Sequence, residues 1–222
     1  MLPTYANELE IVNDKISTIA RNILEANRVV LNALEKHDQE LLETAKEHVK
    51  NMTQKTTEID KAIVRMLALY SPEASDLREI VSFFKITNEL LRASSNTRSL
   101  IKGFAVYCTA IDLEIIEGYA IPLQRATVEC VEGMVEMIEN TCIDETEEIF
   151  SRILIAEHKT DDLYELLQDN IFSNAKEIED FAKFTKILGS LRKSEKIADR
   201  TLDIASLLLF ARVGGVFGYI KE

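Results

Sequence analysis

The chain has 222 residues, 46% of them apolar, with seven glycines, three prolines and a formal net charge of −12. The apolar share suffices for a sizeable core, and so few turn-forming residues argue for helices over a many-turned β protein. The charge repels a phosphodiester backbone, which argues against a nucleic-acid partner and suits a protein that holds cations.

The apolar stripe Leu9, Val12, Ile16, Ile19, Ile23, Ala26 and Val30 steps by three and four, which predicts a first helix. The polar run "EKHDQE" makes a short turn, with Asp38 as a candidate N-cap. A second stripe, from Leu42 through Val49, Met52 and Ile59 to Tyr70, predicts one long second helix. A third opens at "SPEASDLREI", with Ser71 as cap and Pro72 at the first helical position, and continues through Phe84, Thr87, Leu91 and Ser94 to about Gly103. A fourth spans about Val106 to Ile138, with a kink expected at Gly118 and Pro122. A fifth runs from about Asp144 to Phe172, and Ser173 and Asn174 start a sixth that ends near Arg212. The tail "IASLLLFARVGGVFGYI" is too broken by Arg212 and the paired glycines for a membrane span; it reads as a bundle helix stopping at the glycines, with a peripheral membrane contact as the alternative. Short connections force antiparallel neighbours. The expected fold is all-α, two tandem antiparallel three-helix bundles covering residues 1–105 and 106–222. Cys108, Cys130 and Cys142 lack CxxC spacing and read as small core residues in a reducing compartment. The polar start "MLPTYANELE" is no signal peptide, and a cytoplasmic location is expected.

Two ExxxD pairs stand out in the second half. Glu157 and Asp161 lie on the fifth helix, and Glu195 and Asp199 on the sixth, where Glu195 occupies the apolar stripe itself. Residues four apart share a helix face. Four carboxylates brought together repel one another unless neutralised, and a multivalent cation is the ordinary solution, with oxygen ligands favouring hard ions. The alternative is a solvated surface, with Glu195 paired to Arg192 or Lys196. His158 points away from Glu157 and reads as surface. No Glu-x-x-His pair occurs, which argues against a di-iron oxidase on a bundle and for a protein that is not an enzyme.

The segments "SPEASDLREIVSFFKITNELLR", "EHKTDDLY" and "SEKIADRTLDIA" resemble motifs of the PhoU family of phosphate-uptake regulators, and the likeness covers the whole chain. The resemblance implies two three-helix repeats, paired E/DxxxD motifs that hold metal in some members, a tendency to dimerise, and regulation of phosphate uptake. By that resemblance Glu157, Asp161, Glu195 and Asp199 are metal ligands, the ion being Fe, Mn, Mg, Ca or Zn. The first repeat departs: Val49, Thr53, Leu91 and Ser95 stand where its acids belong. The scaffold position filled by Leu91 in one half is filled by Glu195 in the other, so the fold does not need the acid. The implied partners are a phosphate ABC transporter or a phosphate-sensing histidine kinase, with membrane association through them and a homodimer. The competing expectation is a metal-free helical adaptor for another transporter or signalling partner.

Overall fold

The computed structural model describes residues 3–107, 113–140, 142–174 and 178–215, and every regular element among them is helical. The elements are α1 (Pro3–Lys36), α2 (Leu41–His48), α3 (Met52–Tyr70), α4 (Ala74–Tyr107), α5 (Leu113–Ile115), a π-helical turn (Ile116–Ala120), α6 (Ile121–Glu139), α7 (Ile143–Asn174) and α8 (Ile178–Val213). The stripe that predicts α1 is buried from Leu9 to Val30, and the second stripe is buried from Leu42 to Met66. Burial of such side chains stabilises by roughly 1.5–3 kcal/mol each, which drives these amphipathic helices together.

Several boundaries differ from expectation. The second helix is two, α2 and α3, because Asn51 adopts a left-handed conformation (φ 56°). Asparagine tolerates that geometry, and the Val49 carbonyl freed at the break accepts from Arg98 Nη2 at 2.8 Å. Asp38 accepts from the Glu40 N–H, two residues on, and so braces the turn before α2. Ser71 does not cap α4: it closes α3 in a left-handed conformation (φ 43°), and Pro72 lies outside the helix that starts at Ala74. Phe84, expected on the inner stripe, is 45% exposed. The disturbance expected at Gly118 and Pro122 takes the form of the π turn, followed by Pro122 in the first turn of α6, where its missing N–H is harmless. Ser173 and Asn174 end α7 and do not begin α8. At the far end α8 stops at Val213, and Gly214 (φ +85°) donates its N–H to the Phe210 carbonyl, a glycine C-cap. Cys108 lies outside the described residues.

Counting α2–α3 as one bent helix, α1, α2–α3 and α4 form one three-helix bundle; α5–α6, α7 and α8 form the second. The bundles meet along two antiparallel helix pairs. In the first, α1 lies against α6, with Arg21–Glu139, Arg28–Glu132 and Arg125–Glu35 pairs in succession. Such exposed pairs are worth about 0–1 kcal/mol each, so they set register more than stability. In the second, α4 lies against α8 in the most extensive helix contact of the molecule. Gly103 permits it: a Cβ there would come within 2.6 Å of Ser190 Cβ.

Four helices meet at a buried polar cluster. Asn27 on α1 donates to Thr97 Oγ1 on α4 at 3.2 Å. Gln124 on α6 donates to Asn27 Oδ1 at 3.1 Å and accepts from Ser194 Oγ on α8 at 2.8 Å. Thr127 Oγ1 donates to the Ser194 carbonyl at 3.2 Å. Each member has a partner, so burial is tolerated, and any slip between bundles would strand several groups at once. The cluster holds α8 in register one residue before Glu195.

Candidate functional site

Glu157 lies on the inward face of α7 beside Ile153 and Ala156, and it is 1% exposed, although its spacing marks only the edge of the apolar stripe. Cys130 of α6, Ala156 of α7 and Ala198 of α8 form a small-residue cluster at this level. Burial and the adjacent Glu157 charge push the Cys130 thiol well above its ordinary pKa, so it stays protonated at neutral pH. One turn along α7 stands Asp161, and across from it on α8 stands Asp199. One carboxylate oxygen each from Glu157, Asp161 and Asp199 gathers within 4.8 Å of the others. No second such group of three occurs among the described residues. Outside it, Asp161, Tyr164, Arg192 and Glu195 line a shallow cleft, which leaves the patch open to solvent.

Glu195 is buried, at 6% exposed, on the same face of α8 but outside that group of three. Its Oε1 accepts from Lys196 Nζ at 3.0 Å, and its Oε2 lies 3.8 Å from Arg192 Nε. Lys196 Nζ also donates to Asp199 Oδ2 at 2.7 Å, and Arg200 Nη2 lies 3.7 Å from the same oxygen. Burial works against the Lys196 ammonium, but the hydrogen bonds to Asp199 and Glu195 outweigh it and hold its pKa above the ordinary lysine value. Arg192 stacks over the Tyr164 ring at 5.1 Å, a cation–π contact that fixes the guanidinium beside Glu195. His158 stays at the surface, 53% exposed, with Nε2 3.9 Å from Glu157 Oε2.

Of the four acids singled out by spacing, Glu157, Asp161 and Asp199 converge and Glu195 stands apart. The pairing of Glu195 with Arg192 or Lys196, which the sequence offers as the alternative, is present, but with Glu195 buried and with Lys196 reaching Asp199 as well; the run "RKSEKIADR" is the trace it leaves. In the first repeat, Val49 is buried and Leu91 half-buried, while Thr53 and Ser95 are exposed. None of the four brings a carboxylate.

Hard cations take carboxylate oxygens, and a patch of three with one member buried in small residues fits such an ion. The described residues thus define an all-helical protein of two three-helix bundles, with an acidic centre in the second.

Residues 16–102 match the model of the PhoU domain. The chain is 31% identical over 93 residues to the phosphate-specific transport system accessory protein PhoU homolog of Aquifex aeolicus, a match spanning 42% of each chain. It is 24% identical over 220 residues to the phosphate-specific transport system accessory protein PhoU of Escherichia coli, covering 96% of this chain and 87% of that one. Among solved structures, PhoU from Pseudomonas aeruginosa superposes with a TM-score of 0.82 at 20% identity, over 95% of this chain and 100% of the other. The phosphate transport system regulatory protein PhoU from Streptococcus pneumoniae gives 0.78 at 19% identity, over 95% and 98%. The solved structures share the fold; residues 16–102 carry the match to the PhoU domain, and the curated relatives that the chain resembles are PhoU accessory proteins.

Proposed function

We propose that this chain is a regulator within a phosphate transport system, acting by binding and not by catalysis. The observation that carries the reading is the similarity to accessory proteins of phosphate-specific transport over 96% of the chain. Its partner is a membrane phosphate transporter or a phosphate-sensing histidine kinase, met at the cytoplasmic face, and the chain works as a homodimer. We take residues 1–105 and 106–222 as the two repeats, of which the second alone holds a metal. Glu157, Asp161 and Asp199 supply the oxygens and Glu195 stands beside them. The ion is a divalent or trivalent one, and its charge would offset the repulsion among the three carboxylates.

The test is capture of the cognate transporter from membranes by the purified full chain. Retention of the transporter, lost on addition of excess untagged protein, supports the reading; no retention under metal-replete conditions overturns it. A second reading, a metal-free adaptor, is favoured by one observation: Lys196 already bridges Glu195 and Asp199 as an internal cation. Equal retention by Glu157→Gln plus Asp161→Asn would decide for that reading and keep the partner.

A further inference from the structure

A cleft of about 600 Å³ runs along the α4–α8 seam, and every charged side chain that lines it is a cation: Arg92, Arg192, Lys193, Lys196 and Arg200. The chain as a whole carries a net charge of −12, so an all-cationic lining stands out from it. Its origin lies in the asymmetry of the two repeats. Leu91 and Ser95, which stand where the second repeat has Glu195 and Asp199, both line the cleft. The carboxylates that pair with its cations do not. Glu89 pairs with Arg92 and Arg200, Asp203 with Arg200, and Glu195 and Asp199 with Lys196.

We infer that this cleft binds a small tetrahedral oxyanion of the phosphate type, and that the acids of the neighbouring patch restrain its cations. Guanidinium forks and an ammonium point charge are the groups that recognise phosphoryl oxygens. The Ser95 hydroxyl lines the α4 wall, its proton donated to the Leu91 carbonyl at 2.9 Å. Lys196 and Arg192 serve both sites: each lines the cleft and each leans on Glu195, while Arg200 lines the cleft and lies near Asp199. Anything that neutralises Glu195 and Asp199 releases these cations to the anion. The inference goes beyond the proposed function and does not depend on a bound metal.

The experiment is calorimetric titration of inorganic phosphate into the full chain at low ionic strength, after metal has been stripped and the chelator removed by desalting. Saturable binding is expected. Arg92→Ala with Lys193→Ala, both on the cleft wall and outside the acid patch, should weaken it by about tenfold or more. Glu195→Gln with Asp199→Asn should tighten it by at least about fivefold. Circular dichroism confirms the helix content of each variant, and Glu195→Gln alone serves if the pair does not fold. Absence of saturable heat, or unchanged affinity in the Arg92/Lys193 variant, overturns the site. Weaker binding by the acid-neutralised variant overturns the restraint. Because the protein is metal-free throughout, no outcome here bears on the cation, and the two ideas fail separately.

Discussion

Glu157 is a carboxylate held at 1% exposure, sharing a 4.8 Å neighbourhood with two others. Such a group loads the metal-free fold with like-charge repulsion. Glu157→Gln should therefore raise the stability of stripped protein, by about 1 kcal/mol, while abolishing stabilisation by added metal; urea unfolding with and without metal reads both signs. Its neighbour Cys130 gives a second check. A thiol whose pKa is pushed up by burial and an adjacent carboxylate keeps little thiolate at neutral pH. Cys142, which is exposed, should react with a disulfide reagent in the native state, and Cys130 only after unfolding. That an acid interrupts the apolar seam at Glu195 was legible in sequence, and the structure keeps that acid buried. The sequence offers Lys196 as a partner of Glu195 but not of Asp199 at the same time: a lysine next to a glutamate faces about 100° away on the wheel, and its long stem lets it reach back to both acids.

At the scale of elements, periodicity reveals all the long helices, since burying an inward face is what makes them helical. It fails where the apolar stripe runs unbroken through a backbone break. Val49 and Met52 continue the pattern across Asn51, and the partner that satisfies the freed carbonyl, Arg98, comes from another helix. No local signal encodes that. The α4–α8 contact depends on Gly103, where a Cβ would press into Ser190. Gly103→Ala gains about 1 kcal/mol of helix propensity yet should destabilise overall, by about 1–3 kcal/mol, because the neighbouring backbone must move. Adding Ser190→Gly should recover part of the loss, and a double-mutant cycle by denaturant unfolding measures the coupling.

Across the whole molecule, two bundles are locked by two antiparallel helix pairs and a four-helix polar cluster. Gln124→Leu would leave Asn27 and Ser194 short of partners at the centre and should cost about 2–3 kcal/mol, lowering the urea midpoint without changing its slope. Sequence could not foresee this cluster. Asn27 and Gln124 are lone polar residues on apolar stripes, and each reads as an imperfection until the other is seen beside it. The all-helical plan, by contrast, was legible, because long apolar stripes at helical spacing recur along the whole chain. The family match falls on residues 16–102, the half without the acids, so what it recognises there is scaffold and not site. The acids of the second repeat sit on the same scaffold, which separates holding the fold from holding an ion.

Whether the Glu157, Asp161 and Asp199 oxygens hold a cation decides between the metal-bound and the metal-free reading. The measurement that decides it is thermal unfolding of the stripped 222-residue chain against added Mn, Mg, Ca, Zn or ferric iron, beside the Asp161→Asn variant. At least one ion is expected to stabilise the wild type, by about 2.7 kcal/mol at 100-fold its dissociation constant, and to leave the variant unmoved. A Tm identical with and without every ion, or an equal rise in the variant, would contradict the metal-bound reading.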